Sequence, residues 1–220
     1  MCIIAPSLLE ADYQCLGDQL KIIEEAGAEY VHIDVMDGNF VPNLSFGMKM
    51  IRGLRDASRL VFDVHMMVQE PSRFVERFYE AGANVITVHY EACKNVPATL
   101  RQIKQLGLRT GIVLNPGTPT MVLTDEIIKL ADVIQIMTVE PGVEGQHFIQ
   151  SCLKKIQEVK TRIDQVGMKR DIEVDGNINF ENLKEVLDAG ANIIVSGKAL
   201  FNGNLAQNIV SMKKISETGA

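Results

Sequence analysis

Three stretches of this chain repeat one short pattern, and the pattern dictates a class of fold. Glu25-Ala26-Gly27-Ala28-Glu29-Tyr30-Val31-His32-Ile33-Asp34 is echoed by Glu80-Ala81-Gly82-Ala83-Asn84-Val85-Ile86-Thr87-Val88-His89 and by Asp188-Ala189-Gly190-Ala191-Asn192-Ile193-Ile194-Val195-Ser196-Gly197. Each reads as a helix that stops at a glycine and runs at once into β-branched residues. Glycine stops a helix because it enters the left-handed backbone region without a steric cost. The β-branched run that follows favours an extended, buried strand.

Looser copies fill the gaps: Leu106-Gly107-Leu108 ahead of Arg109–Leu114, Leu130-Ala131-Asp132 ahead of Val133–Met137, and Gly167-Met168-Lys169 ahead of residues 171–174. Residues 3–8 and 60–65 complete a set of eight predicted strands. Helical periodicity marks segments between them, among them 17–25, 71–80, 148–165 and 180–188. Strand and helix alternating over about 25 to 30 residues is the signature of right-handed βαβ units and a parallel sheet. Eight such units in 220 residues predict an α/β chain folded as a single (β/α)8 TIM barrel domain over residues 1–220. The competing open, doubly wound sheet begins with a glycine-rich turn after its first strand, and Pro6-Ser7-Leu8-Leu9 is nothing like one. No Pro/Gly/Ser-rich linker or charge run divides the chain.

Composition removes several functions. The net charge is -6, with 22 Lys+Arg against 28 Asp+Glu, which argues against nucleic acid held by bulk positive charge. Tryptophan is missing and aromatics make up 5%, too few for a base-stacking surface. No apolar run approaches the roughly 18 to 20 residues of a spanning helix, so no membrane partner is expected. Met1-Cys2-Ile3-Ile4-Ala5-Pro6 has no basic residues ahead of its apolar part and makes a poor secretory signal. Cys2, Cys15, Cys93 and Cys152 form neither a CxxC pair nor a disulfide framework, so the expected setting is reducing and cytoplasmic.

In a (β/α)8 barrel the reactive residues project from the carboxyl ends of the strands. Strand alternation on 31–36 sets His32, Asp34 and Met36 on one face and the apolar Ile33 and Val35 on the other, toward the helices. The same parity groups Asp63, His65 and Met67, and it leaves Asp175 at the rim of the seventh strand. His32, Asp34, His65 and Asp175 thus form an N2O2 set suited to one divalent ion such as zinc, iron or manganese. Any one of them alone reads equally well as an inert, hydrogen-bonded rim residue. What favours the metal is distribution, with His32, His65 and His89 all at strand ends and two of them beside aspartates of matching parity. Buried carboxylates without partners are costly, and a cation would offset that cost.

Glycine turns follow the sixth, seventh and eighth strands: Gly142 and Gly145, Gly176 beside Asn177, and Gly197 beside Lys198. Singly these are ordinary βα turns. Together they predict a phosphate site, because glycines let backbone N–H groups approach an anion and the phosphate of such barrels commonly lies after strands seven and eight. Met36, Met67 and Met137 read as apolar walls or plain packing. Asn115-Pro116 and Pro71 read as turns, Glu91 and Cys93 as loop residues without catalytic consequence, and His147 as a helix start rather than a ligand.

Ala5-Pro6-Ser7, Val31-His32-Ile33-Asp34-Val35-Met36-Asp37-Gly38 with Phe40-Val41-Pro42-Asn43, Asp63-Val64-His65-Met66-Met67, Met137-Thr138-Val139-Glu140-Pro141-Gly142 and Glu173-Val174-Asp175-Gly176 together resemble the ribulose-phosphate 3-epimerase family, from about Ile4 to Phe201. The resemblance implies the (β/α)8 fold, one divalent metal (zinc foremost, with iron, manganese or cobalt as alternatives) and interconversion of D-ribulose 5-phosphate and D-xylulose 5-phosphate. It implies His32, Asp34, His65 and Asp175 as ligands, and Asp34 and Asp175 as the acid/base pair that inverts C3 through an ene-diolate. Ser7 and His65 would contact the substrate, Met36, Met67 and Met137 would cap the reacting carbon, and Gly142, Gly145, Gly176, Asn177, Gly197 and Lys198 would hold the phosphate. A small phosphorylated ketose is the expected partner molecule, and a homo-oligomer the expected assembly.

Three departures surround the phosphate end. The loop usually written Pro-Gly-Phe-Gly-Gly-Gln is here Pro141-Gly142-Val143-Glu144-Gly145-Gln146, the usual Asp-Gly-Gly turn is Asp175-Gly176-Asn177, and Lys198 replaces a small residue. Glu144 would repel a phosphate dianion unless it points outward or pairs with Lys198. These changes leave the metal set intact and keep a related activity open, the allulose-6-phosphate 3-epimerase reaction on a six-carbon ketose. A decarboxylase or aldolase barrel needs a lysine at the reacting centre, and inward positions at the strand ends offer none. A phosphate-binding barrel without activity is the third reading, and the intact pair of carboxylates and pair of histidines argues against it.

Overall fold

The computed structural model describes residues 2–218. Its strands are β1 (Ile3–Pro6), β2 (Tyr30–Met36), β3 (Val61–Met67), β4 (Val85–His89), β5 (Arg109–Leu114), β6 (Val133–Met137), β7 (Asp171–Asp175) and β8 (Ile193–Ser196). They form one parallel sheet in the order β1-β8-β7-β6-β5-β4-β3-β2, and a parallel bridge from Ser7 to His32 brings the end of β1 onto β2. The helices are α1 (Leu16–Glu25), α2 (Met48–Arg55), α3 (Val75–Glu80), α4 (Val96–Gln105), α5 (Asp125–Leu130), α6 (Cys152–Val166), α7 (Leu183–Ala189), α8 (Lys198–Phe201) and α9 (Leu205–Thr218). This is the (β/α)8 barrel that the repeats predict.

Strand parity divides the core in two. Val31, Ile33 and Val35 of β2 and Val64 and Met66 of β3 join the apolar layer beneath the helices, where they meet Leu20, Ile23, Leu100 and Ile156. Fully burying such a side chain stabilises the fold by about 1.5–3 kcal/mol. The opposite parity fills the barrel itself. Ala5, Tyr30, Val85, Val133, Ile193 and Val195 plug its amino end. Above them lies a buried polar layer that includes His32, Asp63, Thr87, Gln135 and Glu173. Gly111 makes room for it, since a Cβ at that position would fall 2.4 Å from Thr87 Cγ2. Met36, Val41 and Met67 close the carboxyl end.

Several boundaries differ from the sequence expectation, each for a local reason. β1 ends at Pro6, because Ser7 caps a 3₁₀ turn over Leu8–Glu10 by accepting the Leu9 N–H at 3.3 Å. The expected helix 71–80 splits into a 3₁₀ turn, Pro71–Arg73, and α3. Segment 148–165 becomes helical only at Cys152, because the Ile149 N–H donates to the Thr138 carbonyl at 2.9 Å and ties the loop to the end of β6. His147 therefore lies in that loop and not at a helix start. α7 begins at Leu183 rather than residue 180, after a turn in which the Asn179 and Asn182 side chains accept backbone N–H groups. Among the described residues, no helix is long and apolar enough to cross a membrane.

Candidate active site and metal centre

Strand register assembles the site. On β2 and β3, His32 lies opposite Asp63, Asp34 opposite His65, and Met36 opposite Met67. On β6 and β7, Gln135 lies opposite Glu173 and Met137 opposite Asp175. One ligand atom each from His32, Asp34, His65 and Asp175 falls within 4.8 Å of the other three. His65 Nδ1 is 3.2 Å from Asp34 Oδ1, 3.3 Å from Asp175 Oδ2 and 3.3 Å from His32 Nε2. His32 Nε2 is 3.4 Å from Asp34 Oδ1 and 3.6 Å from Asp175 Oδ2. A tetrahedral ion with bonds of about 2.0–2.2 Å separates its donors by about 3.3–3.6 Å. The four side chains therefore fit a divalent metal in donor type and in spacing.

Their electrostatics agree. Burial alone would push the His32 pKa down, but the Asp34 and Asp63 charges and hydrogen bonds with Asp175 and Asp34 hold it well above the usual value. For His65, burial is likewise outweighed by hydrogen bonds to Asp175 and Asp34, which bring it up to about 8. Burial works to raise the Asp34 and Asp175 carboxyls, yet the two histidines hold both below the usual carboxylate range. The histidines and aspartates thus favour one another's charged forms, and a divalent ion held by all four would supply positive charge to the same carboxylates.

Further buried groups frame this set. His32 Nδ1 is 2.7 Å from Asp63 Oδ2 and 3.4 Å from Glu173 Oε1. Burial, reinforced by the Asp63 charge, pushes the Glu173 carboxyl up to about 8. Gln135 Nε2 lies 3.2 Å from His65 Nδ1 and 3.4 Å from Asp175 Oδ2. Ser7 donates its hydroxyl to Asp34 Oδ2 at 2.6 Å. Asp63, Gln135 and Glu173 were not foreseen as site residues, although each lies two positions before His65, Met137 or Asp175 on the same strand face. Glu91 Oε1 accepts the Asn115 N–H at 2.9 Å and the Thr118 hydroxyl, which ties it to the turn after β5. Burial pushes the Cys93 thiol up to about 12.

Above the cluster opens a cavity of about 840 Å³ lined by Ser7, Asp34, Asp175, Met36, Met67 and Met137, and farther out by the glycines 142, 145, 176 and 197 with Asn177 and Lys198. Asp175 reaches it with a side chain 15% exposed. The loop after β6 is docked across the mouth: Gly142 sits at φ 71° with its missing Cβ 2.4 Å from Val41 Cβ, and its carbonyl accepts from Asn43 Nδ2 at 3.1 Å. Asn177 holds a left-handed φ of 53°, which asparagine tolerates better than most side chains, and its amide donates to the Gln146 carbonyl at 3.1 Å. Glu144 is exposed, and no ion pair joins it to Lys198 among the described residues. Lys198 is the one lysine or arginine along the described lining. The buried amine of Lys155, on α6, donates to the Asn115 and Pro116 carbonyls and faces no reacting centre.

Fold and site together define a (β/α)8-barrel enzyme with its polar machinery at the carboxyl ends of the strands. Residues 3–201 match the ribulose-phosphate 3 epimerase family model. The chain is 43% identical over 210 residues to ribulose-phosphate 3-epimerase of Bacillus subtilis, covering 94% of this chain and 96% of that protein. It is 44% identical over 214 residues to the enzyme of the same name from Synechocystis, covering 96% and 93% respectively. Among solved structures, KGPDC from Streptococcus mutans shares the barrel at a TM-score of 0.70 and 13% identity, over 99% of this chain and 98% of that one. The chain belongs to the ribulose-phosphate 3-epimerase family, and it is an isomerase of the epimerase class.

Proposed function

We propose that this chain inverts C3 of D-ribulose 5-phosphate to give D-xylulose 5-phosphate, with Asp34 and Asp175 as the paired acid and base. What supports this most is that carboxylates from β2 and β7 both reach His65 Nδ1, at 3.2 and 3.3 Å, on the floor of one cavity. The C3 proton is acidic because it lies beside the C2 carbonyl. One of the pair, ionised, takes it to leave a planar ene-diolate, and the other, which must enter the step protonated as the carboxylic acid, delivers its proton to the opposite face. Ser7 fixes one oxygen of Asp34, and Met36, Met67 and Met137 keep water from the reacting carbon. His32, Asp34, His65 and Asp175 would hold the divalent ion, zinc foremost, with iron, manganese or cobalt suited to the same donors. Bound there, it supplies Lewis-acid stabilisation of the negative charge that develops on the sugar oxygens. The described residues act as one barrel domain in this scheme, and four free cysteines favour a cytoplasmic setting.

The test is C3 proton exchange in deuterated water, with D-ribulose 5-phosphate and D-allulose 6-phosphate side by side. Conversion of the five-carbon sugar with deuterium at C3 is the expected result. Absence of exchange in metal-replete buffer overturns the assignment, and faster turnover of the six-carbon sugar transfers it to that substrate.

Phosphate lies, in this proposal, against Gly142, Gly145, Gly176, Asn177, Gly197 and Lys198. Glu10, Glu140 and Glu144 also line the cavity, so Lys198 carries the compensating charge. Replacing Lys198 by Ser is expected to raise KM about tenfold and change kcat less than about twofold, as loss of a charge-assisted contact made equally in ground and transition states should. Steady-state kinetics decide it, and an unchanged KM with a large fall in kcat would assign the lysine to the chemistry instead.

A further inference from the structure

His89 and Glu91 stand outside the four donor side chains and outside the cavity lining, yet they are joined to one of the donors. The nitrogen of His65 that faces away from the cluster, Nε2, is 2.8 Å from His89 Nε2. The two rings stack with centroids 5.0 Å apart and an interplanar angle of 21°. His89 Nδ1, fully buried, lies 3.4 Å from Glu91 Oε2, and the Asn115 side chain also interacts with the ring. His89 Nδ1, Glu91 Oε2 and Asn115 Oδ1 are all buried and none has an aligned hydrogen-bond partner among the described residues, so the 3.4 Å approach of Nδ1 to Oε2 is the polar contact that pair has to satisfy it. The other Glu91 oxygen is anchored on the turn after β5 by Asn115 N–H and Thr118, and Lys155 grips that turn from α6.

Counting donors and acceptors fixes the protons along this line. A carboxylate only accepts, so His89 Nδ1 carries the hydrogen that faces Glu91. A neutral imidazole has one N–H, so His89 Nε2 presents a lone pair to His65. His65 Nε2 therefore keeps its hydrogen, and Nδ1, which faces Asp34, Asp175 and His32, is the nitrogen free to give up its proton and offer a lone pair when an ion binds. We propose that Glu91 and His89 are positioning residues that set the tautomer of His65, so that its Nδ1 is presented as a ligand to the ion. The inference rests on the metal reading of the four-donor set. Hydrogen-bond partners behind a metal-bound histidine typically contribute 10–100-fold in metal affinity.

The experiment titrates the metal-stripped full-length protein with Co²⁺ against a chelator of known affinity and follows the absorption of the bound ion. Glu91→Gln keeps the shape of the side chain but reverses the line. With its amide oxygen on the Asn115 N–H, its NH₂ faces His89 Nδ1, which must then accept. The His89 hydrogen moves to Nε2, against the His65 N–H, and the His65 proton is driven to Nδ1. Affinity is expected to fall 10–100-fold. His89→Phe keeps the stacked ring without an acceptor and should fall by the same factor, whereas His89→Gln restores an acceptor near the Nε2 position and should stay within about threefold of the parent. Circular dichroism of the stripped proteins reports folding, and if His89→Phe is unfolded, Glu91→Gln decides alone. Parent-like affinity in Glu91→Gln, or in a folded His89→Phe, overturns the proposal while leaving the metal reading intact. Failure of the parent protein to bind Co²⁺ overturns both.

Discussion

With Asp175 replaced by Asn, C3 inversion falls by about 10²–10⁴-fold or more, and Asp34→Asn falls as far, because positioned proton transfer contributes that much and an amide can neither take nor deliver the proton. The two variants should differ in what they retain. Asp34 and Asp175 come from β2 and β7, and in the proposed mechanism they meet the sugar from opposite faces. In each variant the surviving carboxylate still exchanges the C3 proton of the epimer that faces it, without completing inversion. Asp34→Asn and Asp175→Asn are therefore expected to exchange opposite epimers with solvent. Mass spectrometry of each sugar recovered from deuterated buffer, at saturating divalent ion, checks this. Near-normal inversion in either variant, or exchange of the same epimer by both, would refute a mechanism with one carboxylate on each face.

The inward set on β2, β3 and β7 was legible because strand alternation has a period of two, and the apolar partners Ile33, Val35 and Val64 mark which parity faces the helices. Periodicity says which face a residue occupies but not how deep it lies. Asp63, Gln135 and Glu173 share the parity of the rim residues yet sit one layer lower, where their contacts arise from neighbouring strands far apart in sequence. Glu91 looked like an ordinary loop acid for a similar reason. Its partners, Asn115 and Thr118, arrive from the turn after β5, and its link to His65 passes through a second histidine. The departures around the phosphate end divide likewise. Asn177 in place of glycine is explained by a left-handed backbone and a hydrogen bond across to the loop after β6. Glu144 is exposed and unpaired with Lys198 among the described residues, and it remains on the cavity lining beside Gly145. Where that loop would run was beyond the reach of periodicity, since Gly142 is seated on Val41 and Asn43 from a different βα connection.

Stripping divalent ions from the protein is expected to abolish C3 exchange and to lower Tm by roughly 5–11 °C while leaving the barrel folded. The size follows from linkage. An ion present at 100 times its Kd adds about 2.7 kcal/mol to the folded state, and each kcal/mol moves Tm by about 2–4 °C in a chain of this size. Survival of the fold follows from the cluster itself. The aspartates raise the His32 and His65 pKa values and are themselves lowered by the histidines, so after removal of the cation the histidines still offset the carboxylate charges. Most of the apolar packing lies elsewhere, beneath the helices. In the proposed mechanism catalysis has no such substitute, because an Asp34 carboxylate engaged by the His65 N–H is a poorer base for the C3 proton. Adding back Zn²⁺, Co²⁺, Mn²⁺ or Fe²⁺ restores both properties, whereas Asp34→Asn, with one donor weakened, needs a higher ion concentration than the parent for the same rise in Tm. Calorimetry of stripped, reloaded and variant protein, read beside the exchange rate, decides the matter. Equal Tm and undiminished exchange after exhaustive chelation would mean that the four donors hold no ion that matters, and that Asp34 and Asp175 work through the histidines alone.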